Sequence, residues 1–187
     1  MTSDSTRLLE ILRERSFAQR EVTLASGRKS DFFVDCKQAI LTAEGHALVG
    51  KLMFESLASL GKVDAVGGVE LGGCPLASAV SLISFQQNQP LPALFIRKER
   101  KDHGSGKRIE GDRSLWPGLR VALLEDVVTT GGSSLKAVQV LREANCEVIG
   151  IVALVDRLEG GAEAIKAAGL PFVSLYSRSD FIAPQPA

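Results

Sequence analysis

Short apolar runs alternate with helix-length amphipathic segments over most of the chain. The runs are unbroken by polar positions, which is typical of strands that are buried on both faces of a sheet. Strands are predicted at 63–69, 91–96, 121–124, 148–155 and 172–176, and helices from the cap at Thr42 to Gly61 and at 75–87, 133–144 and 162–168. This order predicts an α/β fold with a parallel sheet flanked by helices, and such sheets bind ligands at the carboxyl ends of their strands.

The N-terminal segment, about residues 1–40, follows a different pattern. Leu8 and Leu12 lie on one face of a predicted helix, and the stretches 19–24 and 31–36 are rich in strand formers on either side of a polar turn. These two strands predict a hairpin, which would form a small hood or arm beside the main sheet.

The stretch from Lys98 to Pro117 also differs from the strand–helix alternation, because it has neither helical nor strand periodicity. Connections of this length without structure of their own are uncommon in compact domains and are usually lids or binding loops. We therefore expect a long mobile loop at about 98–117. No internal repeat or linker interrupts the rest, so residues 1–187 are predicted to form a single domain.

Composition narrows the classes of function. The 22 Lys and Arg residues balance the 22 Asp and Glu residues, so no general basic field is present and no nucleic-acid partner is predicted. The longest apolar stretch, Val148 to Val155, is far shorter than the roughly 20 residues of a membrane-spanning helix, so no membrane span is predicted. The cysteines have no metal-site or disulfide spacing and the N-terminus lacks the apolar core of a signal peptide, so we expect a cytoplasmic protein.

The most informative segment follows the strand predicted at 121–124, where Glu125 and Asp126 precede a loop of hydroxyls and glycines at 129–133. Backbone N–H groups at the start of the next helix suit a phosphate monoester. The carboxylates would repel phosphate but accept hydrogen bonds from the vicinal hydroxyls of a sugar. Together they predict a ribose 5-phosphate site, and the residues match neither a P-loop nor a GxGxxG loop. The alternative is an ordinary turn with a solvated acidic pair.

The long loop carries a second signal. From Arg97 to Arg108 there are six Lys or Arg residues against two acidic residues, with His103 among them. This charge predicts a site for a polyanion, in which a flexible cationic lid neutralises a multiply charged leaving group and excludes water. A solvated surface turn is the alternative.

Three other features have both a functional and a structural interpretation. Arg157 follows an apolar strand, where its guanidinium could bind a carboxylate through a bidentate pair of hydrogen bonds or form a surface salt bridge. Phe33 could stack on the flat ring of a ligand or belong to the core. The stretch 67–75 is a second glycine-rich turn between a strand and a helix.

The 14 residues 121–134 resemble the phosphoribosyl-diphosphate motif of type I phosphoribosyltransferases. Three further stretches narrow the resemblance to the orotate phosphoribosyltransferases. Residues 26–33 are similar to that family's N-terminal segment, 97–104 to its mobile catalytic loop, and the pair 156–157 to its orotate-binding arginine. The likeness covers most of the chain.

This resemblance implies that the chain transfers a phosphoribosyl group from phosphoribosyl diphosphate to orotate in pyrimidine biosynthesis. It implies a Mg²⁺ ion held mainly by the substrate, so no protein metal ligands are predicted. It also implies a homodimer with shared active sites, because Lys101 and His103 would reach the partner subunit's site; with Asp126 they are the predicted catalytic residues. The predicted substrate-binding residues are Lys29, Phe33, Arg97, Lys98, Lys101, His103, Glu125, Asp126, Val127, Val128, Thr129, Thr130, Gly131, Gly132, Ser133 and Arg157.

In the family's fold the turn at 67–75 is the diphosphate loop, for which a cis peptide bond that does not precede proline is expected. Some family members have lysines where Ala25 and Gly72 stand in this sequence. Their absence leaves Lys98, Lys29, the lid and the metal to supply positive charge.

Two other functions stay open at this point. One is a type I phosphoribosyltransferase that acts on a purine or uracil, which would share the ribose 5-phosphate motif but not the 97–104 pattern. The other is a regulator without catalytic activity that keeps the fold and binds nucleic acid or protein.

Overall fold

A computed structural model describes residues 3–23, 29–99 and 107–182 of the chain. The strands are β1 (Phe17–Thr23), β2 (Lys29–Val34), β3 (Ala65–Val69), β4 (Ala93–Ile96), β5 (Ile109–Glu110), β6 (Arg120–Val128), β7 (Glu147–Asp156) and β8 (Phe172–Ser177). The helices are α1 (Asp4–Arg15), α2 (Lys37–Ile40), α3 (Ala43–Ser56), α4 (Gly73–Gln86), α5 (Gly132–Glu143), α6 (Gly161–Ala167) and α7 (Arg178–Phe181). Short 3-10 turns lie at Leu57–Leu60 and Asp112–Ser114.

Six strands form the main sheet in the order β5-β4-β3-β6-β7-β8. The pairs from β4 through β8 are all parallel, whereas β5 is antiparallel to β4 at the edge. The chain leaves β3 through α4 toward β4 on one side, and leaves β6 through α5 toward β7 on the other. The direction of winding therefore reverses between β3 and β6, and the carboxyl ends of these two strands border a crevice of the kind that binds ligands in open α/β sheets.

Helices cover both faces of this sheet. On one face α1, α3 and α4 pack through Leu12, Met53 and Leu76 against the side chains of β6 and β7. On the other face α5 and α6 pack through residues such as Leu141 and Ile165. The strands are apolar on both sides for this reason, and the predicted parallel sheet flanked by helices is confirmed.

Local signals explain where several elements begin. The Thr42 hydroxyl accepts a hydrogen bond from the Gly45 N–H at 3.1 Å, so Thr42 is the helix cap that the sequence predicted. Ser3 caps α1 in the same way, through the Thr6 N–H at 3.2 Å. The predicted N-terminal hairpin is confirmed, because β1 and β2 pair antiparallel in a small separate sheet.

Two predictions about the chain's course were wrong. The strand expected at 121–124 extends to Val128, because Glu125 to Val128 continue the ladder with β7. The segment from Lys98 to Pro117 is not structureless in its second half, where β5 adds an edge strand to the sheet before the 3-10 turn. Within the described ranges, no helix has both the length and the apolar character to cross a membrane.

Candidate active site

The crevice between β3 and β6 brings together four stretches of the chain. β6 contributes Glu125 and Asp126, and the loop that follows it leads into α5. The turn after β3 lies beside them, since Gly68 of β3 pairs with Leu124 of β6. The stem of the long loop follows β4. The N-terminal segment reaches the crevice through Cys36, whose Sγ lies near the backbone oxygen of Asp126. A functional role was predicted from the sequence for all four stretches, in the N-terminal segment at Lys29 and Phe33.

Glu125 and Asp126 do not form the side-by-side acidic pair that the sequence suggested. Because both belong to β6, their side chains alternate between the two faces of the sheet. Glu125 turns toward α5, where it meets the hydroxyls of Ser133 and Ser134. Asp126 turns toward the opposite face, where its carboxylate adjoins Gly72. The two groups therefore differ in surroundings and in what they can do.

Glu125 is only 4% exposed. Its Oε1 accepts hydrogen bonds from Ser134 Oγ at 2.8 Å and from Ser133 Oγ at 3.2 Å. Burial raises the pKa of the Glu125 carboxyl to about 7, although these hydrogen bonds oppose the rise. The carboxylate thus connects β6 to the first turn of α5 and holds the loop between them in place.

Asp126 lies among groups from three elements. Its carboxylate touches the Cα region of Gly72, and its backbone oxygen lies 3.8 Å from the Cys36 Sγ. Burial raises the pKa of the Asp126 carboxyl, and the positive charge of Lys37 opposes that rise. The Lys37 ammonium itself pairs with Asp35 at 2.5 Å. A carboxylate in this position can accept hydrogen bonds from sugar hydroxyls at the mouth of the crevice.

The loop 129–133 has the geometry of a phosphate site. Gly131 adopts a left-handed conformation with φ +78° and precedes α5 directly, with no side-chain cap from the described residues. The first N–H groups of a helix have no partner within the helix and carry partial positive charge, so they attract anions. Gly161 of α6 packs against this loop so closely that a Cβ there would overlap Val128.

The turn after β3 is a second place where backbone approaches the crevice. The peptide bond between Glu70 and Leu71 is cis, as the resemblance implied. Gly68 and Gly73 lie in direct backbone contact, and a Cβ at Gly73 would meet the Leu124 oxygen at 2.6 Å. Only glycine allows α4 to begin this near to β3 and β6.

The stem of the long loop places two of the predicted cations. Arg97 Nε binds Glu110 Oε1 at 2.9 Å, and the Arg97 N–H donates to the Arg108 oxygen at 2.8 Å, so Arg97 joins the two sides of the stem. Lys98 is exposed beside it. Lys101 and His103 lie outside the described residues, so their predicted roles stay predictions.

The N-terminal hairpin meets the sheet at Arg157. This residue is 6% exposed, donates from Nη2 to the Phe32 oxygen at 2.9 Å and pairs with Glu159 at 2.9 Å. Phe32 is buried in the core, with ring centroids 5.3 Å from Phe17. Phe33 is the next residue on β2, so it points to the other face and is only half-buried. The backbone of Lys29 belongs to β2, and its side chain lies outside the described part.

Several residues of this site were missed from the sequence. Ser134 had a usable signal, because it follows Gly131 and Gly132 at the start of a helix next to a strand that ends in carboxylates. Glu110 and Glu159 had no such signal. Each pairs with an arginine of the site, but in the sequence they cannot be distinguished from ordinary surface acids. Lys37 and Cys36 come from a distant part of the chain.

Within the described ranges, no three His, Cys, Asp or Glu side chains cluster closely enough to hold a metal ion. Asp126 offers carboxylate oxygens at the crevice, and Mg²⁺ is commonly held by one or two carboxylates together with substrate phosphates. The donor set therefore fits a metal that arrives largely with its ligand.

Comparisons with known proteins agree with this geometry. Residues 38–169 match the phosphoribosyl transferase domain. An orotate phosphoribosyltransferase of Sorangium cellulosum is 67% identical over 184 residues, which are 98% of this chain and 96% of that protein. The crystal structure of Mycobacterium tuberculosis H37Rv orotate phosphoribosyltransferase in complex with Fe(III) dicitrate has a TM-score of 0.83 and 39% identity, covering 97% of this chain and 100% of that chain. The structure of the M. tuberculosis enzyme in complex with 5-phospho-alpha-D-ribosyl 1-diphosphate has a TM-score of 0.79 and 37% identity, covering 96% of this chain and 99% of that chain.

Proposed function

The chain belongs to the orotate phosphoribosyltransferase family, and from this premise we propose that its crevice transfers a phosphoribosyl group from phosphoribosyl diphosphate to orotate. The products are orotidine 5-phosphate and diphosphate, in the biosynthesis of pyrimidine nucleotides. The observation that carries the proposal is that the half-buried Asp126 lies near the end of β6, directly before the loop that leads into the glycine-rich start of α5. One group suits sugar hydroxyls and the other suits a phosphate.

The 5-phosphate binds at the loop 129–133. The N–H groups of Gly132 and Ser133 and the hydroxyls of Thr129 and Thr130 donate to its oxygens, while Val127 and Val128 keep the loop attached to the sheet. Binding energy at this end of the substrate fixes the position of the reacting sugar carbon at the other end.

The nitrogen of orotate is a modest nucleophile, so the reaction proceeds with an oxocarbenium-like sugar as the diphosphate departs. Charge stabilisation then dominates the catalysis. Asp126 positions the ribose and faces the developing positive charge. Glu125 acts indirectly, because the hydrogen bonds that it accepts from Ser133 and Ser134 hold the phosphate loop in position. Lys98 and Arg97 supply positive charge near the leaving group.

Orotate binds at the end of the crevice where the N-terminal hairpin meets Arg157. The guanidinium and the nearby Phe33 ring match the two parts of orotate, a carboxylate and a flat ring. The hydrogen bond from Arg157 to the Phe32 oxygen couples orotate binding to the position of the hairpin. Lys29 adds a cation from the same strand.

Mg²⁺ belongs to this proposal as a cofactor that binds with the diphosphate, and when bound it neutralises charge on the leaving group. Asp126 can contribute a carboxylate oxygen to it. Removing the metal with a chelator is expected to abolish turnover, and adding Mg²⁺ back to restore it.

The active form is a homodimer in which the lid of one subunit completes the partner's site. Lys101 and His103 reach across the interface to the diphosphate, and one of them acts as an acid toward the departing oxygen. The net positive charge of the 97–108 segment supports this role. The cytoplasmic location and the lack of a nucleic-acid partner stay predictions.

The experiment is a panel of bases with the purified chain, phosphoribosyl diphosphate and Mg²⁺. Diphosphate release is expected with orotate and not with uracil, adenine or hypoxanthine. Release with a purine or uracil would assign the chain to another phosphoribosyltransferase activity. Calorimetric binding of phosphoribosyl diphosphate without turnover of any base would support a regulator that keeps the fold.

A further inference from the structure

A cavity of about 340 Å³ lies beside the crevice on the α5 side of the sheet. Its walls come from the ends of β3 and β4, the stem of the long loop and the first turns of α5, and they include Val69, Lys98, Arg108, Ser133 and Lys136. Two of these residues, Arg108 and Lys136, have no individual role in the function described above. The cavity is large enough for a diphosphate group.

The lining of this cavity is strongly cationic. Arg97, Lys98, Arg108 and Lys136 face a single acidic side chain, Glu99. Arg97 is already paired with Glu110, so three positive charges are left against one negative charge. Positive charge collected in a concave site attracts polyanions.

The Arg108 guanidinium is only partly satisfied. Its Nη2 donates to the Lys98 oxygen at 3.0 Å, but its Nε is buried and has no hydrogen-bond partner among the residues that the structure describes. A buried donor on a charged group costs free energy when it is left unpaired, so a ligand oxygen in the cavity would remove that cost.

Lys136 lies three residues beyond Ser133 on α5, so both face the same side of the helix. Lys136 lies one turn beyond the start of α5, and the first turn of α5 contains no acidic residue to pair with it. An anion at this end of α5 would be stabilised by both the helix and the lysine.

We infer that Arg108 and Lys136 form a subsite for the diphosphate group of phosphoribosyl diphosphate and of the free product, an inference that rests on the proposed function. The position supports this assignment, because Val69 directly precedes the cis turn at 70–71 and Ser133 belongs to the loop for the 5-phosphate. The subsite also supplies positive charge through Arg108 and Lys136, whereas Gly72 in the turn after β3 supplies none.

Lys136→Gln, Lys136→Arg and Arg108→Gln test this subsite, with Lys166→Gln on the exposed side of α6 as the matched control. The KM for phosphoribosyl diphosphate, the KM for orotate and the calorimetric Kd of inorganic diphosphate are measured for each. We expect Lys136→Gln and Arg108→Gln each to weaken diphosphate binding and to raise the KM for phosphoribosyl diphosphate about ten- to hundredfold, as the loss of a charge-assisted hydrogen bond does. Lys136→Arg is expected to retain most of the affinity, and Lys166→Gln all of it.

Unchanged diphosphate affinity and KM in both Gln variants, within twofold, would overturn the inference. Weaker binding of inorganic diphosphate with an unchanged KM for phosphoribosyl diphosphate would also overturn it, because the site would then bind only a free anion and not the substrate. If Arg108→Gln does not fold, Lys136→Glu replaces it, and charge reversal should weaken binding further. Failure of the proposed function would appear separately, as wild-type protein that binds diphosphate but releases none from phosphoribosyl diphosphate when orotate is added.

Discussion

Gly72 stands directly against the carboxylate of Asp126. A Cβ at residue 72 would overlap both carboxylate oxygens, although the two residues are far apart in the sequence. Gly72 is also the residue directly before α4, in the turn after β3. In this chain the turn therefore adjoins the acid closely because it has no side chain there.

Gly72→Ala should disturb this contact without removing a functional group. The added methyl group forces Asp126 or the turn to move, and we expect a loss of stability of about 1–3 kcal/mol, as overpacking usually costs. The same substitution in an Asp126→Ala background should cost clearly less, because the overlap is gone. Urea unfolding of the four proteins in this double-mutant cycle measures the coupling. Simple additivity of the two effects would show that the contact is not as tight as described.

Asp126→Asn should retain the fold and lose activity. The side chain keeps its size but loses the negative charge that faces the ribose, and loss of such a preorganised group commonly lowers turnover on the order of 10²-fold. Steady-state rates with orotate, together with thermal unfolding to confirm the fold, test this. A variant with nearly normal turnover would remove Asp126 from the mechanism.

The Glu125 carboxyl should make stability depend on pH. Burial raises its pKa to about 7 from an ordinary 4.5, so between these values the folded chain binds more protons than the unfolded chain. Stability from this group is therefore highest below pH 4.5 and falls as the pH rises to about 7. In Glu125→Gln that fall should be absent, so the variant should gain about 1–3 kcal/mol relative to the wild type across this window.

Urea unfolding of the ligand-free protein at several pH values between 4.5 and 8 measures this gain. Glu163→Gln on the exposed face of α6 is the control, since it removes the same charge from a solvated position. A difference between Glu125→Gln and the wild type that does not change with pH would contradict the assigned cause.

Periodicity predicted the central strands β3 and β7 because both are almost entirely buried and consist mainly of apolar residues. It could not predict β5, since two residues are too few to show a period. It also ended β6 too early, because Glu125 and Asp126 look like a loop when polarity alone is considered. The ladder with β7 continues through them, and the pleat then sends their side chains to opposite faces. The charges of the site were visible in the sequence, but their separation depended on the register.

Phe32 and Phe33 should respond differently to the same substitution. Phe32 packs with Phe17 and Phe181 in the core, so Phe32→Leu should cost on the order of 1–2 kcal/mol of stability with a smaller effect on KM. Phe33 is half-buried on the other face of β2, so Phe33→Leu should mainly raise the KM for orotate. Urea unfolding and orotate titrations on both variants separate the two roles. An unchanged KM in Phe33→Leu would place this ring among the purely structural residues.

Two inactive variants should restore activity to each other if the lid crosses the dimer. Lys101→Ala removes a lid cation, and Asp126→Asn inactivates the crevice. In a mixed dimer, one site combines the intact lid of the Asp126→Asn subunit with the intact crevice of the Lys101→Ala subunit. Mixing by co-refolding should therefore recover up to about a quarter of wild-type activity, because half of the dimers are mixed and each has one complete site. Mixed dimers that are isolated by two different affinity tags and are still inactive would show that each subunit completes its own site.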